Sequence, residues 1–159
     1  VQNEIIALLL LHKYESYFKR LSLAGQWNAF GTGKEIRRRL NPDYSFLHKY
    51  VLMFFGLAIE NYLKGCCVKS RGIKIFEDTK KESLSKNILT HDIRRLYTRV
   101  FGSVPENSVQ ETFKNLNRAI TNGKYVVAGK LESFPTYTAS FERDIKNAKI
   151  VIKKIKRTF

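Results

Sequence analysis

Apolar residues recur at steps of three and four through most of the chain, and the three prolines, Pro42, Pro105 and Pro135, fall outside those stretches. That pattern predicts helices separated by loops. Residues 3–23 place Ile5, Leu8, Leu9, His12, Phe18 and Leu21 on one apolar face, with Gly25 as the stop signal. Residues 25–43 read as a basic connector containing Gly31, Gly33, the run Arg37-Arg38-Arg39 and the breaker Asn41-Pro42. Residues 44–70 carry apolar side chains around most of the circumference, the pattern of a helix at the centre of a bundle.

Residues 70–89 are polar and charged around a short apolar piece, Ile73 to Phe76, and predict a long mobile crossover. Thr90 is the expected N-cap of a helix from His91 to Phe101, with Ile93, Leu96, Tyr97 and Val100 inward and Gly102 just past its end. The next helix starts at Asn107 or Ser108, turns Val109, Phe113, Leu116 and Ile120 inward, and stops near Asn122-Gly123. The last has the cleanest period: Phe141, Ile145, Ala148, Ile152, Ile155 and Phe159 on one face, and Lys146, Lys149, Lys153 and Lys156 on another. The sum is a single all-α domain over residues 1–159, an up-and-down bundle of about five helices.

Composition supports one folded core. The 159 residues are 43% hydrophobic and 13% aromatic, too apolar for a disordered polycation. The longest apolar runs, Ile5 to Leu11 and Tyr50 to Ile59, fall short of the roughly 20 residues that span a bilayer, so no membrane partner is expected. Lacking a secretory signature ahead of the first run, the chain reads as cytoplasmic. Cys66 and Cys67 stand side by side, which suits buried small hydrophobes better than a disulfide or a metal cage.

Charge changes the picture more. With 29 Lys and Arg against 14 Asp and Glu, the formal net charge is +15, which raises polyanions as partners. The last helix alone holds seven cations against Glu142 and Asp144. Lys146, Lys149 and Lys153 are its candidate nucleic-acid contacts, although a lysine face also serves solubility. Arg37, Arg38 and Arg39 form a second candidate, because guanidinium forks grip phosphate at two points.

Two clusters bear on chemistry. Glu60 and Lys64 stand at i and i+4 in an otherwise apolar helix, either as a plain intrahelical pair or as two groups aimed into a polar pocket. Thr90-His91-Asp92-Ile93-Arg94-Arg95 gathers an imidazole, a carboxylate and two guanidinium groups at one helix start. Metal ligation has no support, since His12, His48 and His91 are scattered and no Cys-x-x-Cys or His-Glu-x-x-His spacing exists. Gly31-Thr32-Gly33-Lys34 lacks the first glycine, the following hydroxyl residue and the preceding strand of a phosphate-binding loop.

Taken together, Ala58-x-Glu60-x-x-Leu63-Lys64, the long connector, His91-Asp92-Ile93-x-x-Leu96, then Gly123-Lys124-Tyr125 and a terminal amphipathic helix resemble HEPN-like proteins, helical bundles named for nucleotide binding in higher eukaryotes and prokaryotes. The likeness spans roughly residues 45–157. It implies a helical bundle, often a homodimer, with no cofactor. Catalytic members are metal-independent ribonucleases using Arg, four to six residues, then His. Arg118 matches the arginine, but the histidine positions hold Gly123, Lys124 and Tyr125. Neither Lys nor Tyr replaces a histidine near neutral pH without large tuning.

The expectation that follows is a binding module for RNA, a nucleotide or a protein partner of toxin–antitoxin type. Glu60, Lys64, His91, Asp92, Arg118, Lys124 and Tyr125 are its candidate ligand contacts, the cations for phosphates and the ring for stacking. One alternative is a metal-independent endoribonuclease in which His91 replaces the missing histidine and Arg118 steadies the phosphate. The other is a helix-turn-helix DNA-binding protein whose second helix, residues 107–121, presents Gln110, Lys114, Asn117 and Arg118 to a groove.

Overall fold

A computed structural model describes residues 2–27, 47–72, 76–78, 83–85, 88–124 and 139–158. Five helices occur among them: α1 (Gln2–Trp27), α2 (Leu47–Arg71), α3 (Ile93–Phe101), α4 (Asn107–Lys124) and α5 (Ala139–Thr158). The chain is an all-α helical bundle. Its central member is α2, which packs against α1, α3, α4 and α5 and buries Val51, Leu52, Phe55, Ile59 and Leu63. By length and composition α2 is apolar enough to cross a membrane, and here that apolar surface is the core of the bundle.

Helix directions follow from the contacts that fix their ends. Tyr62 of α2 donates to Glu4 near the start of α1, whereas Tyr14 lies against His48 at the start of α2 and Phe141 at the start of α5. So α1 runs antiparallel to both α2 and α5. Asn147 reaches Ser108 while Asp144 meets Asn115 one turn earlier, which makes α4 antiparallel to α5 as well.

At Gly56 of α2 the side chains of α4 come close: a Cβ there would sit 2.9 Å from Ile120 Cδ1 and 3.3 Å from Leu116 Cβ. A side chain there would push α4 off α2, so the absence of one sets the separation of the two helices. Both cysteines of α2 are buried thiols outside any disulfide, and burial pushes the Cys66 thiol up.

Four expectations need correcting. First, α1 continues through Gly25 to Trp27, because one helix-interior glycine costs only about 1 kcal/mol. Second, the face of α1 that packs inward carries Ala7 and Leu11, with Tyr14 partly buried, while Ile5, Leu8, Leu9 and His12 are exposed. Small Ala7 is fully buried on the inward face, which a bulkier side chain there would hold further from α2. Third, the crossover contains an antiparallel pair of strands, β1 (Phe76–Asp78) and β2 (Ser83–Leu84), with Phe76 opposite Leu84 and an irregularity before Asp78. Fourth, Asp92 rather than Thr90 caps α3: its side chain accepts from Arg95 N at 3.1 Å, and Thr90 Oγ1 accepts from Asp92 N.

Candidate functional site

Glu60 and Lys64 project from α2 toward the segment that leads into α3. The Glu60 side chain is only 4% exposed, and Lys64 Nζ donates to its Oε1 at 2.7 Å. Because α3 begins at Ile93, His91 belongs to the incoming segment, and its Nδ1 lies 3.0 Å from both Glu60 oxygens. The pair expected within one helix is thus a three-residue cluster. A buried carboxylate without such partners would cost several kcal/mol. His91 is mostly exposed at its outer edge, so the buried acid orients an imidazole at the surface.

Asp92 is engaged as the cap of α3, and Asn117 of α4 accepts from Ile93 N through its Oδ1 at 3.3 Å. Cap and side-chain bond together satisfy donors that a helix start otherwise leaves open. Arg118 is not part of this cluster. It is exposed on the face of α4 opposite the core, where it and Arg143 add to Lys114 in holding the Glu111 carboxyl below its usual range. Gln110 donates to Pro105 O and Asn107 Oδ1 and Lys114 donates to Glu111, so three of the four residues expected to face a DNA groove, Gln110, Lys114 and Asn117, bond within the chain. The side chain of Lys124, all of Tyr125, and the arginines Arg37, Arg38 and Arg39 with the Gly31–Lys34 segment lie outside the described residues.

The charges of α5 divide between two flanks. On one, Arg143 accompanies Asp144, and Lys154 Nζ donates to Tyr97 Oη at 2.6 Å while lying 4.4 Å above the Phe101 ring. Such a cation over aromatic rings ties α5 to α3. Asp144, one of the two acids counted against the cations of this helix, is completely buried. Thr112 Oγ1 and Asn115 Nδ2 donate to its two oxygens at 2.8 and 2.7 Å, and Asn147 Nδ2 donates to Thr112 Oγ1. Its partners sit on α4, 29 and 32 residues earlier, so nothing in the local sequence points to them.

The other flank faces α1. A groove of about 280 Å³ lies there, floored by Phe55 and Ile152, with Glu4 and Leu8 on the α1 side and Lys149, Lys153, Lys156 and Arg157 on the α5 side. Lys146 continues the cationic row by its spacing and is exposed. Glu4, the one acid in the groove lining, is already engaged: Tyr62 Oη donates to it at 2.6 Å and Lys156 Nζ lies 2.8 Å away. Burial acts to raise the Glu4 carboxyl, but the hydrogen bonds from Lys156 and Tyr62 outweigh it and hold the group below its usual range. The same bond raises Lys156. Among the described residues, Lys149, Lys153 and Arg157 have no acidic partner. This groove was only half visible in sequence, as a row of lysines without the helix they face. Among the described residues no group of His, Cys, Asp and Glu could hold a metal ion.

Compared with protein-family models, with curated proteins and with solved structures, the chain matches none.

Proposed function

We propose that this chain is a HEPN-like basic module that binds a polyanionic ligand without cleaving it, and that the α1-facing flank of α5 is the contact surface. The observation that carries this reading is the groove in which Lys149, Lys153, Lys156 and Arg157 face one already neutralised carboxylate. Uncompensated cations in a row release counterions when they meet a polyanion, and that release supplies affinity which falls steeply with salt. Such binding needs no acid–base group.

The test is a titration of a labelled single-stranded RNA in EDTA at two salt concentrations. Saturable, salt-sensitive binding of RNA that stays intact supports the reading. Lys149→Glu with Lys153→Glu abolishes binding, whereas Lys114→Glu, which reverses a charge on α4, does not. Equal loss in both variants, or no binding at low salt, overturns it.

A second reading, a metal-independent ribonuclease, draws on the Glu60–His91 pair, since a buried carboxylate that fixes an exposed imidazole is how a general base is oriented. Cleavage in EDTA that is lost in His91→Ala would support it. RNA left intact under excess protein contradicts it.

A further inference from the structure

We propose that the groove between α1 and α5 is a docking site for an acidic amphipathic helix of a partner protein. The inference rests on the reading of that flank as an anion-binding surface and names what fills it. The two rims of the groove differ in kind. The α5 rim carries Lys149, Lys153, Lys156 and Arg157, whereas the α1 rim offers Leu8, which is 42% exposed, continuous along the helix with Ile5 at 52% and Leu9 at 61%. Three large aliphatic side chains left in water within little more than one helical turn form a contiguous apolar strip.

An occupant therefore needs an anionic edge and an apolar edge running side by side. Double-stranded nucleic acid presents phosphates on both of its edges and hides its bases. A single strand has the two edges, but its bases gain most by stacking on aromatic or guanidinium planes, and the exposed rim of α1 is aliphatic. Aliphatic side chains spaced along a helix are the counterpart of leucine-type anchors on another helix laid into a groove. A second copy of this chain fits poorly, because its net charge of +15 and its own lysine row would face this one. Acidic residues on the partner complement the row, and apolar ones cover Ile5, Leu8 and Leu9.

Dimensions and rigidity agree with that occupant. Lys149 to Arg157 spans about 12 Å along α5, which matches two turns of a docked helix. The groove is preformed, because the Tyr62–Glu4–Lys156 bonds join α2, α1 and α5 at one end of it. Of the other acids of the two helices, Glu15 and Glu142 lie toward the opposite end, where Glu142 acts on Tyr14, and Asp144 is buried against α4.

The test uses the full chain and an 18-residue helical peptide with leucines at i, i+3, i+4 and i+7 flanked by glutamates, beside a scrambled peptide of the same composition and a single-stranded RNA. The patterned peptide binds at least about tenfold more tightly than the scrambled one. Leu8→Ser with Leu9→Ser, and separately Lys149→Glu with Lys153→Glu, each weaken it by about tenfold or more, as both rims contribute. Ile150→Ser, which removes an exposed isoleucine outside the groove, leaves it unchanged. Helical circular dichroism confirms that each variant is folded, and Leu9→Ser alone serves if the double variant is not. Equal affinity for patterned and scrambled peptides overturns the docking inference; RNA binding that still depends on Lys149 and Lys153 would leave the underlying reading standing. If neither peptide nor RNA binds, both fall together.

Discussion

Glu4 and Lys156 are 152 residues apart in sequence and 2.8 Å apart in space, and their contact closes the bundle by joining its first helix to its last. Its pH dependence follows from the direction of each shift. The folded-state value of Glu4 is lowered, so its contribution is full above the ordinary glutamate value, about 4.3, and is lost as pH falls through the lowered folded value. That of Lys156 is raised, so its contribution is full below the ordinary lysine value, about 10.4, and is lost as pH rises through the folded one. The difference in urea midpoint between the native chain and Glu4→Gln is therefore flat from about pH 6 to 9 and shrinks below about pH 4. A difference that stays constant down to about pH 2.5 contradicts this assignment.

Gly56 and Gly65 lie on the same helix and respond oppositely to alanine. At Gly65 a Cβ meets nothing within 4 Å, so Gly65→Ala stabilises by about 0.5–1 kcal/mol through helix propensity alone. At Gly56 the new methyl meets Ile120 and Leu116, both fully buried, so overpacking of about 1–3 kcal/mol outweighs the same propensity gain. Thermal melting of the two variants gives shifts of opposite sign; a stabilised Gly56→Ala would show that α2 and α4 are farther apart than described.

Lys64→Met leaves the Glu60 carboxylate buried with His91 alone and costs about 2 kcal/mol, less than for a fully enclosed pair because Lys64 keeps some access to water. Replacing both groups, Glu60→Leu with Lys64→Met, removes the buried charge and recovers most of that loss. Urea unfolding measures both, and a double variant no more stable than the single one is the contrary result.

Thr112→Val tests the network under α5. Valine keeps the shape and removes the hydroxyl that donates to Asp144 and accepts from Asn147, so the variant loses about 1–3 kcal/mol. An unchanged denaturation midpoint would mean that water replaces the hydroxyl at no cost.

How far the sequence carried these relationships differs from helix to helix. The phases of α3, α4 and α5 were legible because their apolar residues are separated by polar ones, and Ile93, Leu96, Phe113, Leu116, Ile145 and Ile152 are all buried as their spacing implies. The phase of α1 was not, because Leu8, Leu9, Leu10 and Leu11 point around the whole helix and any of them could have been the inward one. Thr90 and Asp92 are both capping residues two positions apart, a difference that decides whether His91 is inside the helix or free to reach Glu60. Asp144 was hidden among lysines, since only the opposing Thr112 and Asn115 reveal that it faces inward. The lysine row itself was plain, but its apolar opposite rim depended on the phase of α1 and so could not be read.

The site at which a polyanion touches the protein decides between the α5 flank and the Glu60–His91 cluster. Isotope-labelled chain titrated with single-stranded RNA in EDTA, at low salt and again at about 0.5 M salt, locates the contact through backbone amide shifts. The predicted result is perturbation centred on residues 146–157 of α5, fading at the higher salt with the RNA intact. Perturbation centred instead on His91 to Arg95 and residues 60–64, persisting in salt, would contradict it and place the ligand at the Glu60–His91 cluster.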